Sequence, residues 1–179
     1  MQYVIAYNYL CLFALLEMII KDSTTGAYTQ KEMAEVFGVT VPYGYETDLN
    51  NVKYSANQNM YGAKLSAEMI QEYFDTHGIG LKISYIDGLR LPEIDIEERL
   101  ADYLNKNKYI ILAYSYGVLS NMSSYNALGH VALLEKVNKD DTIVIYDPGP
   151  REAGTKLVNI WKMYDAIQRK GGVYVFERC

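Results

Sequence analysis

The feature that most constrains this chain is the apolar segment "CLFALLEMIIKD", which begins at Cys11. Its apolar residues fall on nearly every side of a helix, so the helix has no face suited to water. Glu17 is the only charged residue before its last turn. We therefore expect a helix that starts near Leu10 or Cys11 and forms the centre of the core.

The same N-terminal segment could instead be a signal peptide or a membrane anchor. It lacks a basic start and a small-residue cleavage site, and it carries Asn8 and Glu17. Its longest uncharged stretch is too short to span a bilayer comfortably. We therefore expect a buried element of a cytoplasmic protein.

Helical patterns dominate residues 1–105. The segment "TQKEMAEVFG" places Thr29 and Glu32 at the spacing of a capping box, and Gly38 ends the helix. The segment "IDIEERLADYLNKN" predicts an amphipathic helix capped by Asp95. A third helix is predicted from apolar residues at helical spacing: Leu65, Met69, Ile70, Tyr73 and Phe74. "LKISYI" predicts a strand, and residues 39–62 predict a long polar loop.

Strand patterns dominate residues 106–179. The segments "KYIILAYS", "GHVALLEKV", "TIVIYD" and "VYVFE" predict strands, and "NKDD" predicts a hairpin turn between the second and the third. A polar loop is expected at residues 116–128, and a helix in "NIWKMYDAIQRKGG". Together these patterns predict an α+β fold in a single domain, residues 1–179, with the helical part packed on an antiparallel C-terminal sheet.

The predicted hairpin carries a histidine, His130, at its start and an aspartate, Asp147, at its end. With Asn138-Lys139 as a two-residue turn, the two side chains are directly opposite. With Lys139-Asp140 they are diagonal on one face, and an odd-length loop would separate them onto opposite faces. On one face, the carboxylate would orient the imidazole and leave its other nitrogen as a base. A core histidine beside an ordinary strand-ending aspartate is the alternative.

A cysteine, Cys11, begins the N-terminal helix, where free amides and the helix dipole favour a thiolate. A buried, inert thiol is the alternative. The segments "LCLFALLEM", "GHVALLEKV" and "IVIYDPGP" resemble, in order and context, the C39-like branch of the papain-like cysteine peptidase fold. The resemblance implies a triad in which Cys11 is the nucleophile, His130 the base and then the acid, and Asp147 the residue that orients His130.

Two positions depart from the C39-like pattern. That family carries a glutamine six residues before the cysteine, whose amide helps to hold the oxyanion, and a glycine just after the cysteine. Here Ile5 and Leu12 occupy these places. Gln2 or Asn8 would have to supply the amide, and Asn8 is favoured because it lies one turn before Cys11. An ordinary strand residue and a helix-cap residue are the alternatives for these two side chains.

The resemblance extends to natural-product acyltransferases and amide synthases with this fold, of the butirosin and closthioamide types. It implies an acyl thioester on Cys11, a carrier-protein donor with a phosphopantetheine arm, a small amine acceptor, and no bound cofactor. A cytoplasmic C39-like peptidase and a non-catalytic binding protein on a degenerate peptidase fold are the alternatives. Of the 18 tyrosines, four are candidate substrate contacts by position alone: Tyr43, Tyr45, Tyr114 and Tyr116.

Charge and ligand spacing argue against two further classes of function. A net charge of −5 without any basic run disfavours a nucleic-acid surface. His77 has no histidine or cysteine near it at metal-ligand spacing, so no metal site is expected. Two cysteines make no disulfide framework, and we expect Cys179 to be an exposed tail residue without a function. Exposed tyrosines would suit a homodimer interface.

Overall fold

The computed structural model describes residues 1–179 as six α-helices and eight strands, with single 3₁₀ turns at residues 58–60, 88–90 and 123–125. In chain order the elements are α1 (Cys11–Ser23), α2 (Gln30–Phe37), β1 (Val39–Pro42), β2 (Val52–Ser55), α3 (Ala67–Thr76), β3 (Leu81–Asp87), α4 (Ile96–Asn105), β4 (Tyr109–Ser115), α5 (Tyr116–Ser120), β5 (Gly129–Val137), β6 (Thr142–Asp147), β7 (Gly154–Asn159), α6 (Ile160–Arg169) and β8 (Gly172–Arg178).

Six strands form one antiparallel sheet in the order β3-β8-β4-β5-β6-β7. One face of the sheet packs on α1, α2 and α3, and the other packs on α4 and α6. The predicted α+β layout is therefore confirmed. One detail differs, because β3 comes from the predominantly helical first part of the chain and forms an edge of the sheet.

Helix α1 is buried on all sides, as its composition predicts. Every residue from Leu12 to Ile20 is buried, including Glu17. The Glu17 carboxylate accepts a hydrogen bond from the Gln30 amide at 2.7 Å and pairs with Lys21 at 2.5 Å. A buried charge is tolerated only when it is paired in this way. No helix of this chain is both long and apolar enough to cross a bilayer.

Several local predictions are corrected by the structure. Residues 39–62 are not simply a loop, because β1 and β2 pair there in parallel. Residues 116–128 contain α5 and a 3₁₀ turn. Asp95 precedes α4 but makes no capping bond, and instead pairs with Arg99 at 3.1 Å. Met69 of the apolar stripe is exposed. Strand β7 was not predicted, because its alternating half-exposed residues carry little apolar signal.

The β5–β6 hairpin has an odd-length turn, which by itself would separate His130 from Asp147. The Asn138 amide donates to the Thr142 carbonyl at 2.9 Å, leaving three residues in the turn. Further along, Leu134 pairs with Ile145 whereas Lys136 pairs with Val144, so one residue of β5 is extra. This β-bulge shifts the register by one and restores the face.

Candidate active site

The strands β5 and β6 bring His130 and Asp147 together on one face of the sheet. Leu133 pairs with Tyr146, so continuing this register places Asp147 opposite Ala132, with His130 on the diagonal. The imidazole Nε2 of His130 donates to the Asp147 Oδ1 at 2.7 Å. This is the diagonal arrangement that the sequence left open as one of its possibilities.

The Asp147 carboxylate is 3 % exposed and is saturated by donors. Oδ1 also accepts the Gly149 amide at 2.9 Å, and Oδ2 accepts the Lys156 ammonium at 2.8 Å. Burial alone would raise the pKa of Asp147, but the hydrogen bonds from His130, Lys156 and Gly149 and the charge of His130 together lower it. Asp147 is therefore ionised at neutral pH, and three donors hold its carboxylate in place.

His130 is enclosed by aromatic rings, and its side chain is 13 % exposed. The rings of Tyr114 and Tyr116 each meet the imidazole edge-on, with centroids 5.7 Å away. Burial lowers the pKa of His130, but hydrogen bonds and negative charge from Asp147 and Cys11 outweigh it and raise the pKa to about 10. Since Nε2 is bound to Asp147, the nitrogen that faces Cys11 is Nδ1. The site therefore favours the protonated, imidazolium form of His130.

Helix α1 presents Cys11 at its first turn with free amides around it. No side chain caps the helix, and the first amide with a backbone acceptor is that of Ala14, bound to the Leu10 carbonyl at 2.9 Å. The N–H groups of Cys11, Leu12 and Phe13 therefore have no protein acceptor. Such amides, at the positive end of a helix dipole, are suited to an oxyanion that forms on a carbonyl bound to Cys11.

The turn before Cys11 is held in an unusual conformation by aromatic contacts. Tyr9 has a φ of 67°, which costs a side-chain-bearing residue about 1 kcal/mol. Its ring meets Tyr45 edge-on at 5.1 Å and Tyr61 at 5.6 Å. These contacts hold the strained turn in place and thereby fix the position of Cys11 at the start of the helix. They also place three aromatic rings next to the segment that leads into Cys11.

Not every predicted site residue lies at this cleft. The exposed Gln2 follows Met1, whose amino group pairs with Asp22 at 3.3 Å in the last turn of α1, so Gln2 lies towards the wrong end of the helix for an oxyanion donor. Asn8 lies one turn before Cys11, exposed and without a hydrogen-bond partner.

Of the four candidate tyrosines, some also lie near the site and one does not. Tyr114 and Tyr116 contact His130, and Tyr45 contacts Tyr9, two residues before Cys11. Tyr43 is 71 % exposed and stacks with Tyr54 at 6.4 Å. Tyr114 lies buried beneath His130, where burial and the nearby charges of Asp147 and Cys11 raise its pKa well above the ordinary value. Its phenol therefore stays neutral.

Lys156 is a member of the site that the sequence analysis missed. Its strand, β7, pairs with β6 so that Lys156 lies opposite Ile145, on the same face as Asp147. Recognising β7 would have revealed this neighbour, because residues two apart on a strand share a face. A cavity of about 330 Å³ opens beside Asp147 and Lys156. A larger groove of about 710 Å³ lies between α3 and β3, away from the triad.

The second histidine and the second cysteine, His77 and Cys179, do not form a comparable site. His77 ends α3, and its Nδ1 contacts the Tyr73 carbonyl oxygen at 2.8 Å. No cluster of three or more His, Cys, Asp or Glu side chains could hold a metal ion. Cys179 is an exposed free cysteine at the C-terminus.

The fold is similar to that of a solved structure over nearly the whole chain. A protein from Bacillus anthracis, proposed to be a C39-like peptidase, aligns with a TM-score of 0.64 and 11 % identity, covering 99 % of this chain and 94 % of that one. The predicted papain-like, C39-like fold is thereby confirmed, and at this identity the likeness concerns the fold alone. No family model matches the sequence, and no curated protein does.

Proposed function

We propose that this protein is a cysteine-dependent acyltransferase that forms an amide through a thioester on Cys11. The observation that carries the proposal is the convergence of three elements at one end of the sheet: the free amides of α1 around Cys11, His130, and the buried Asp147. The reaction needs both the His130–Asp147 pair and the free amides of α1. The pair takes up and returns the proton of the thiol, and the amides stabilise the oxygen of the carbonyl under attack.

The first half-reaction would move the acyl group from a thioester donor to Cys11. The thiolate attacks the carbonyl carbon, and the oxygen takes up the negative charge beside the amides of Cys11 and Leu12. The intermediate collapses by breaking the bond to the donor sulfur, which leaves as a thiol with the proton from His130 Nδ1. The products are an acyl-Cys11 thioester and a neutral imidazole.

In the second half-reaction an amine attacks the Cys11 thioester. His130 Nδ1 accepts the proton that the nitrogen loses, and collapse of the intermediate releases the amide and restores the thiolate–imidazolium pair. Asp147 keeps its charge throughout and stabilises the imidazolium.

Two features support transfer to an organic acceptor over hydrolysis. Tyr114 and Tyr116 contact the His130 ring, and Tyr9, two residues before Cys11, contacts Tyr45 and Tyr61. An acceptor with an apolar body gains binding energy on such walls, whereas water does not. The donor proposed is an acyl group on the phosphopantetheine arm of a carrier protein, as in amide synthases of the closthioamide type. Ile5, where C39-like peptidases have their glutamine, also favours a departure from peptidase activity.

A C39-like peptidase is the second candidate, favoured by the fold shared with the proposed peptidase of Bacillus anthracis. Such an enzyme would cleave a peptide by the same acyl-Cys11 intermediate, with water as the acceptor.

The test combines an N-acetylcysteamine acyl thioester with the protein and follows Cys11 by peptide mass spectrometry. We expect the acyl mass on Cys11 in wild type and in Cys179→Ser, its loss in Cys11→Ser, and faster deacylation with added hexylamine than in buffer. A deacylation rate that is the same with and without hexylamine, together with cleavage of peptide substrates, would favour the peptidase. A Cys11 that neither acylates nor alkylates faster than Cys179 would overturn both candidates.

A further inference from the structure

Three cationic side chains without a carboxylate partner border the triad: Lys64, Arg151 and Lys170. The first lies in a segment that passes the start of α1. A Cβ on Gly62 would lie 3.5 Å from the Tyr9 carbonyl oxygen, and Leu65 is buried in the same cluster as α1. Lys64 between them is exposed and makes no hydrogen bond or ion pair. Partial desolvation lowers the pKa of Lys64, and the negative charge of Cys11 opposes this effect.

Lys170 lies on the His130 side of the cleft. It follows α6, and its Nζ donates to the Asn59 Oδ1 at 3.1 Å and to the Ala127 carbonyl. Its Cε lies 3.5 Å from the position that a Cβ on Gly129 would occupy, one residue before His130. Its contact with Asn59, five residues before Lys64, brings Lys170 to the chain segment that carries Lys64. Burial and the positive charge of Lys64 both lower the pKa of Lys170.

Arg151 lies in the turn that follows Asp147. Its side chain is exposed and has no hydrogen-bond partner, and its neighbour Glu152 forms no ion pair with it. The positive charge of Arg151 acts on the phenol of Tyr9, where burial, the largest effect, raises the pKa. The Ala6 amide donates to the Pro148 carbonyl at 2.8 Å, so the turn that carries Arg151 lies beside the segment that leads to Tyr9 and Cys11.

We infer that these three cations bind an anionic group, a carboxylate or a phosphate, on the acyl donor that reaches Cys11. Like charges around one site repel one another, and an anion bound among them offsets that repulsion. The whole chain has a net charge of −5, which would repel an anionic donor without such a local reversal of sign. The inference rests on the proposed function, since it names the substrate class of the same site.

The first test compares two alkylating reagents that differ only in charge, iodoacetate and iodoacetamide. The ratio of their rate constants at Cys11, divided by the same ratio at Cys179, removes their intrinsic difference in reactivity. We expect this normalised ratio to favour iodoacetate by about tenfold at low salt, and to fall as ionic strength rises. A normalised ratio of one or less at low salt would overturn the inference.

Variants then assign the preference to the named side chains. Lys64→Gln and Arg151→Gln should each reduce the normalised ratio at least threefold, because neither residue holds a contact within the protein. Lys139→Gln, in the hairpin turn at the far end of β5, is the matched control and should leave the ratio unchanged. Lys170→Arg should keep the ratio, which separates its charge from its role in holding residue 127. A preference that survives in the Lys64 and Arg151 double variant would refute the assignment.

A set of thioesters distinguishes the two sources of the anion. Glutaryl and valeryl thioesters of N-acetylcysteamine differ by a carboxylate on the acyl side, whereas valeryl thioesters of pantetheine and 4′-phosphopantetheine differ by a phosphate on the thiol side. We expect at least one charged member to acylate Cys11 about tenfold faster than its neutral counterpart. Equal rates in both pairs would overturn the inference while leaving the acyltransferase proposal intact. No acylation by any member, with an unreactive Cys11, would refute both.

Discussion

Replacing Asp147 by asparagine keeps the shape of the side chain but removes its charge. Oδ1 can still accept from His130 Nε2 and the Gly149 amide, whereas an amide nitrogen now faces the Lys156 ammonium in place of Oδ2. The site would then hold two positive groups, His130 and Lys156, without the carboxylate that lies between them. We therefore expect the imidazolium to lose stability more than the neutral imidazole does.

The size of the effect follows from the bond that is lost. A hydrogen bond to a charged group contributes about 1.5–3 kcal/mol, and removing the charge here forfeits most of it. At about 1.4 kcal/mol for each tenfold change, the asparagine variant should lower the pKa of His130 by about 1 to 2. The thiolate–imidazolium pair then becomes about ten- to a hundredfold less favourable than the neutral pair. We expect alkylation of Cys11 by iodoacetamide at about pH 6 to slow at least tenfold.

The assay measures alkylation by peptide mass spectrometry across the pH range, with Cys179 as the internal reference. Asp165→Asn, an exposed aspartate on α6 without a partner, is the control for the same chemical change. The double variant Asp147→Asn with Lys156→Met removes the uncompensated cation. It should recover part of any lost stability without recovering the rate. A folded Asp147→Asn variant that alkylates Cys11 at the wild-type rate would show that Asp147 does not hold the imidazolium.

Three further predictions concern the surroundings of the triad. Lys156→Met removes a bond that lowers the pKa of Asp147, so the acid limb of the acylation rate should move to higher pH, whereas Lys156→Arg should restore it. Because folding raises the pKa of His130 to about 10, its stabilisation is full below about pH 6.5 and declines above it. The difference in urea unfolding free energy between wild type and His130→Gln should therefore shrink from about pH 6.5 to 9. Ile19→Ala in the fully buried α1 should cost about 2–5 kcal/mol of unfolding free energy, against about 0.5 kcal/mol for the exposed Val36→Ala.

What the sequence predicts well here is local. The start of α1 at Cys11, the capping box of α2 and the β5–β6 hairpin depend on residues a few positions apart, and the structure contains all three. The capping box is complete, with the Thr29 side chain on the Glu32 amide and the Glu32 side chain on the Thr29 amide. Such signals need no knowledge of the rest of the chain.

What the sequence does not predict depends on distant contacts. Strands β1 and β2 pair in parallel across a nine-residue connection without an alternating pattern, and β7 is an exposed edge strand. Lys156 joins the site only through β7, and Lys64 only through the packing of residues 62–65 on α1. The triad remains a prediction in its chemistry, although the structure brings its three members together. Gln2 illustrates the converse, because closeness in sequence to Cys11 does not place it near the thiol.

The bulge in β5 has a consequence for how relatives of this protein should be recognised. His130 and Asp147 are 17 residues apart in the chain, and one residue between them, Glu135, is the extra residue that shifts the register. Losing the bulge residue, Glu135, would shorten the interval by one while leaving Leu134 opposite Ile145 and every pair on the site side unchanged. The interval between base and aspartate is therefore free to vary by single residues during divergence. A search for relatives should score the strand contexts of the two side chains and allow the number of residues between them to vary.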